Sequence, residues 1–225
     1  VSLTENPVHE VPVAFELVLP EGDLAALSGV TDLVVEGAGR YSGRLGVTGT
    51  IASPHLDGNL ELMGASFRLS GMEEKYSQVN ASIIIADTLI TISRFNGREG
   101  KKGTIGCAGT ISLRGWKPAE YRVACDMNEF VIASLSDILA IVSGRVSVGT
   151  RIEGGRVLPV ITGSIRVKEG EVYYDLGSFS ASSEAGTLEL SSYIAAIDLA
   201  IPGNTWIRTP DARVELQGNV TLHHD

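Results

Sequence analysis

The chain has 225 residues, of which 44% are hydrophobic and only 6% aromatic, with a formal net charge of −9. That apolar content is too high for a disordered chain. An interior built almost wholly from Val, Ile, Leu and Ala also lacks the large rigid anchors that fix a compact core. The negative balance speaks against nucleic acid as a partner and against a broad electrostatic hold on an anionic membrane surface. No apolar run reaches the roughly 18 residues of a membrane-spanning helix. The opening VSLTENPVHEVPVAFEL has neither a basic start nor a small-residue cleavage site. Because the strand pattern is still running at VELQGNVTL, the chain is expected to be a fragment of a longer protein.

In chain order, apolar residues recur at every second position. Leu45, Val47 and Ile51 share one parity, and Leu56, Leu60 and Leu62 alternate with Asn59 and Glu61. Phe67 and Leu69 continue that segment. Ile105, Cys107, Ile111 and Leu113 face one way, as do Val146, Val148 and Ile152. Ile161, Ile165 and Val167 alternate with Arg166 and Lys168, and Leu216, Val220 and Leu222 with Gln217 and Asn219. Such alternation marks half-buried strands. Turn signals at 20–22, 52–54, 97–103, 114–118 and 153–155 separate them. One stretch departs from the rule: Ser134 to Asp137 reads as a capping box, and Leu135, Ile138, Leu139 and Val142 follow at helical spacing. A short amphipathic helix is therefore expected near 134–142.

An internal repeat sets GNLELMGASFRL (58–69) against GSIRVKEGEVYY (163–174) at one fixed offset, giving units around 45–69 and 146–174. Each such unit buries its apolar face only by stacking on its neighbours. The predicted fold is all-β, with many strands sharing one aliphatic face and little helix to cover it. A sandwich, a barrel or solenoid, and an open trough around an apolar ligand would each answer that need, and the pattern alone does not choose among them.

Catalytic motifs are sparse. His55 and Asp57 flank a turn beside Pro54, with no further residue at metal-ligand spacing, and read as loop residues. His223 and His224 stand at the chain end, where they read as tag or linker, and no cofactor or metal is expected. GREGKKGT (97–104) leads from strand to strand, whereas a phosphate loop opens a helix. Its Arg98, Lys101 and Lys102, with nearby Arg94, read as a solvated sheet edge, contact with lipid phosphates being the alternative. Cys107 and Cys125 are equidistant from Trp116. A regular hairpin turning there would place them opposite each other, as a disulfide or as two buried thiols.

GNTWIRTPDARVELQGNVTL (203–222) and GVTGTIASPHLDGNLELMGASFRL (46–69) resemble units of the TamB family, the translocation and assembly module proteins of the AsmA-like group. In the first, the matching residues are Asn204, Trp206, Ile207, Arg208, Ala212, Val214, Glu215, Leu216, Gly218, Val220 and Leu222. The resemblance covers nearly the whole chain. It implies one long curled sheet forming a groove (a β-taco) with an aliphatic lining, and a single segment over 1–225. It further implies an inner-membrane-anchored protein of the Gram-negative periplasm that meets an outer-membrane barrel of the Omp85 type. Its cargo would be phospholipid acyl chains moving between the membranes, and it would assist outer-membrane protein assembly. The lining would then be the alternating residues named above, and no enzyme activity is expected. A structural or adhesive β-solenoid with a dry interior is the alternative.

Overall fold

The computed structural model describes residues 11–27, 34–69, 75–100, 102–134, 138–173 and 193–224. They form eleven strands: β1 (Phe15–Asp23), β2 (Val34–Gly49), β3 (Pro54–Leu69), β4 (Lys75–Ala86), β5 (Leu89–Glu99), β6 (Gly103–Arg114), β7 (Lys117–Ser134), β8 (Ile138–Glu153), β9 (Arg156–Tyr173), β10 (Ile194–Arg208) and β11 (Arg213–His224). A 3-10 turn, Leu24–Leu27, is the one helical element among the described residues. All eleven strands lie in one sheet in chain order, and β1 does not pair with β11, so the sheet is open. Neighbours run antiparallel except β9 and β10, which are parallel.

Residues paired across a ladder share a face of the sheet, and the register gathers the apolar parity of every strand onto one side. One row runs Leu17, Leu45, Gly58, Ile85, Ile90, Ile111, Tyr121. Another runs Leu62, Ala81, Phe95, Cys107, Cys125, Val146, Gly163, Ile197, Leu222. The opposite side carries Arg44, Asp57, Asp126, Arg145 and their kind. No second layer covers the apolar face among the described residues. The accessible surface, 15041 Å², exceeds the ~9,900 Å² of a compact monomer of this mass.

The sheet curls toward its apolar side. The bend between β2 and β3 and the turn between β6 and β7 are four inter-strand spacings apart, roughly 19 Å along the sheet. Yet Trp116 Nε1 donates a hydrogen bond to the Ile51 carbonyl at 2.8 Å. Val47 and Leu56, on the apolar face, are buried there while Thr48 and His55, on the other, are exposed. Bulges crossing the sheet assist the curl, since each bulge bends and twists its strand. Registers slip between Ala38 and Arg40, Leu62 and Ala65, Ser77 and Asn80, Met127 and Phe130, and Ile201 and Thr205. Side chains satisfy the backbone groups that this frees. Asn80 Oδ1 accepts from Gly64 N at 2.9 Å, Ser143 Oγ from Glu129 N at 2.9 Å, and Glu215 Oε1 from Asn204 N at 2.8 Å.

Two features recur at equivalent positions of β3 and β9. In β3 the apolar face passes from Leu62 to Ala65 across a bulge, and in β9 it passes from Val167 to Gly170, the equivalent step of the second unit. Gly58 and Gly163 also match, because a Cβ on either would lie 2.3 Å from the Arg44 carbonyl oxygen or 2.4 Å from that of Arg145.

The helix expected near 134–142 does not form. β7 runs to Ser134 and β8 begins at Ile138, with 135–137 outside the described residues. Phe130 pairs with Val142 and Ile132 with Ala140, so the described residues on either side pair as antiparallel strands. A short apolar run such as ILAIV satisfies helical and extended spacing alike, and its β-branched residues favour the strand once a partner is present.

Gly58→Val should therefore destabilise the protein by roughly 2–3 kcal/mol, since the new side chain meets backbone that cannot yield. The urea midpoint should fall accordingly, and an unchanged midpoint would refute the packing described for Gly58.

Candidate functional site

The apolar face is the dominant feature. Of the residues expected to line it, Leu45, Val47, Leu56, Leu60, Leu62, Phe67, Ile105, Ile111, Val146, Val148, Ile161, Ile165, Val167, Leu216, Val220 and Leu222 occupy that face by register. Leu113 ends the face in β6, opposite Pro118. Ile152 lies near the tip of β8 and is 65% exposed. Leu69 is the last residue of β3, opposite Val34. Ile51 is a correction: it sits in the bend after β2, not in a strand, and its carbonyl serves Trp116.

Burial along the face is uneven. Val142, Ile165 and Val167 form a buried cluster, with Met127, Ala140, Val146, Ile197, Leu199 and Ile201 packed around it. Val47, Leu56, Ala65, Val79 and Ala81 are buried as well, whereas other parts of the face are half open, with Leu60 37% exposed and Phe15, Leu17, Ile132 and Val214 more so. Cys107 and Cys125 are register partners at the middle of the face, Cα atoms 4.1 Å apart and joined by a disulfide.

Glu99 interrupts the lining, and no sequence signal marked it. It is 2% exposed. Its strand neighbour β6 begins at Gly103, so the upper part of β7 has no β6 residue beside it. Glu99 reaches over Gly103, where a Cβ would lie 2.8 Å from its Oε2, and accepts from Val131 N at 3.2 Å. Tyr76 lies opposite Glu99 and between the rings of Phe67 and Phe130, at 5.5 and 6.2 Å. Burial, with the Glu99 charge adding to it, pushes the Tyr76 hydroxyl pKa up. The only clue in the sequence was a glutamate at the end of an alternating run, which reads as a turn residue.

The outer face is polar and paired. Arg145 makes two 2.7 Å bonds to Asp126, Arg44 meets Asp57 at 2.9 Å and Arg68 meets Glu36 at 2.7 Å. Lys168 pairs with Glu129 and Arg208 with Glu171. His55 and Asp57 do not act together: His55 Nδ1 lies 2.7 Å from Asp87 Oδ1, while Asp57 serves Arg44. His223 and His224 are strand residues of β11, and His224 stacks on Tyr193 at 4.3 Å, which corrects the reading as tag or linker. Arg94 and Arg98 lie in β5 on this outer face, opposite Ser82 and Ser77. A shallow open depression of about 580 Å³ also lies here, floored by Ala108, Ala124, Ser147 and Thr162 and flanked by Arg122 and Arg151.

An open, curled, single-layered sheet with an aliphatic concave face defines the class of protein by architecture. No family model and no solved structure matches the chain. It is similar to Protein SUBSTANDARD STARCH GRAIN 4, chloroplastic, of Oryza sativa subsp. japonica, at 27% identity over 158 residues, 68% of this chain and 7% of that one. It is also similar to Protein TIC236, chloroplastic, of Arabidopsis thaliana, at 21% identity over 202 residues, 87% of this chain and 9% of that one. The chain thus spans less than a tenth of the length of these relatives. These matches overturn the assignment to the bacterial TamB family and, with it, the Gram-negative periplasm, because the matching proteins are chloroplast proteins of plants. The motifs behind that assignment are short alternations of apolar residues and glycine, which a repetitive sheet of this kind generates on its own account.

The outer-face pairs give the protein a signed pH response. Hydrogen bonds from Arg145, Lys168 and Arg68 hold the carboxyls of Asp126, Glu129 and Glu36 below their ordinary values. Their contribution is present above the unfolded-state value and is lost as pH falls through the lower folded value. The melting temperature should decline as pH is taken down through and below the ordinary carboxylate range. The decline should be shallower in Arg145→Ala, and modest in both because the pairs are exposed. Equal slopes in the two proteins would show that the Asp126 pair contributes nothing.

Proposed function

We propose that this chain is one segment of a longer β-trough that carries the acyl chains of lipids along its apolar face, and that it works in a chloroplast. The observation that supports the cargo most is the aliphatic face, which crosses all eleven strands, interrupted at Glu99, and stays half open to solvent over much of its extent. A methylene moved from water onto such a face gains about 0.8 kcal/mol, so an acyl chain needs no specific polar contact. A lining with few aromatic anchors suits sliding along the trough better than one fixed pose. The polar headgroup would stay at the open mouth. The units around 45–69 and 146–174 would be repeated modules of that longer trough. Transfer of phospholipid between two membranes is the transport role that fits, and a barrel of the Omp85 type is the proposed partner of the longer polypeptide. The similarity to two chloroplast proteins supports the compartment.

We further propose that the chain performs no covalent chemistry. His55 and Asp57 each hold a separate exposed partner rather than each other. Replacing both with Ala should leave lipid binding unchanged. Loss of a hydrolytic activity on a lipid ester in that double variant would reverse the proposal.

The trough is tested by polar residues placed inside it. Leu60 is partly solvated, so Leu60→Asp should fold and melt near the native temperature, while phospholipid co-purifying with the protein falls. Ile165, 8% exposed within the Val142–Val167 cluster, cannot keep its water, and Ile165→Asp should lose several kcal/mol of stability. Outer-face changes Glu61→Ala and Arg166→Ala should stay within about 0.5 kcal/mol and keep the lipid. Mass spectrometry of extracted lipid beside a thermal melt decides the matter. If Leu60→Asp unfolds the protein, the face is a dry packed core; if it melts normally with native lipid content, the cargo lies elsewhere.

A further inference from the structure

The bend between β2 and β3 is held from two sides. Within it, Ser53 N donates to Thr50 Oγ1 at 3.1 Å and Thr50 N to the Ser53 carbonyl at 3.2 Å. On one flank Ile51 N donates to the Val11 carbonyl at 3.2 Å, and Val13 N to the Gly49 carbonyl at 2.9 Å. On the other flank stands the turn between β6 and β7. Gly115 there adopts a left-handed conformation, φ 60°, and a Cβ on it would lie 3.3 Å from the Ala52 carbonyl oxygen. The Trp116 indole then spans to Ile51, so both backbone groups of Ile51 are committed, one to each flank. Between these tips, Asp87 N donates to the Leu56 carbonyl at 2.6 Å and Leu113 N to that of Thr88 at 2.7 Å.

The apolar face is covered at this bend, between the exposed Phe15 on β1 and the exposed Ile152 on β8. Val47, beside the bend, has no accessible surface, and Pro54 and Leu56 are buried with it. At the same end of the sheet but beyond the Trp116 turn, Ile152 stays exposed. The closure hangs on little. Trp116 is half exposed and is held to Ile51 by one neutral hydrogen bond.

We propose that Trp116 is a latch: closed, it holds the β2–β3 bend against the β6–β7 turn and shuts this mouth of the trough. Open, it would let the two tips part, so that an acyl chain could enter or leave past Val47 and Leu56. The cargo in this proposal rests on the lipid reading above, whereas the opening itself does not.

The test uses Trp116→Phe, which keeps an aromatic ring and removes the N–H donor. Trp206→Phe serves as control, since Trp206 lies under Arg213 at 4.0 Å on β10 and β11. Amide hydrogen exchange, followed by mass spectrometry without lipid, should quicken over residues 50–56 in Trp116→Phe by roughly fivefold, the equilibrium worth of one neutral hydrogen bond. Exchange in β8 and β9 should not change, which verifies that the variant is folded. Loading of a phospholipid with a fluorescent acyl tail should accelerate in the same variant and not in Trp206→Phe. Unchanged exchange over 50–56 overturns the latch whatever the lipid does. Faster exchange with unchanged loading overturns its control of this mouth. A wild-type protein that never takes up the probe refutes the lipid reading instead, leaving the exchange result to judge the latch alone.

Discussion

A single layer of strands with one aliphatic face has no second layer to hide that face against, and the rest of the architecture answers this constraint. Burial of apolar surface is the main force available to the chain. The described strands contact their sequence neighbours, so the face can shed water only by bending toward itself. Bending a sheet across its strands requires places where the ladder yields. The row of bulges supplies them, and Asn80, Ser143 and Glu215 take up the backbone donors left over. Close-packed glycines such as Gly58 and Gly163 let neighbouring strands approach on the concave side, where any side chain would strike a carbonyl.

Equivalent positions of β3 and β9 share one irregularity. Leu62 to Ala65 and Val167 to Gly170 take the same irregular step at equivalent positions. Between them the chain does not copy itself faithfully, and the differences fall where the sheet has particular needs. Glu99 is the clearest. With β6 starting only at Gly103, a carboxylate stands in for the strand that is missing beside Val131.

Much of the fold was legible because its strands obey one rule for long stretches. The period of two in Leu56, Leu60 and Leu62, or in Ile161, Ile165 and Val167, places residues on the face that register confirms. Failures occurred where that period stops being informative. Ile51 shares the parity of Val47 but lies past the end of β2, and parity has no meaning in a bend. Residues 138–142 satisfy two spacings at once, and only the partner strand decides between them. Bulges are invisible in a single sequence, because the extra residue need be no particular type. Glu99 was missed since its partner lies two strands away in space. The family was misread because glycine and aliphatic alternation specify an architecture, not a lineage.

The one parallel pair has a mechanical meaning. Were β10 antiparallel to β9, the chain would leave β11 at the end of the sheet opposite to that where it enters β1. Because β9 and β10 run the same way, Phe15 and His224 lie at the same end, on the two outermost strands. Tension applied between Phe15 and His224 would therefore pull across the strands rather than along them. Such a load falls on one hydrogen-bonded pair at a time, beginning at the edges. The sheet would yield by peeling, strand after strand from its rims, while the disulfide-linked β6 and β7 at its middle would part last.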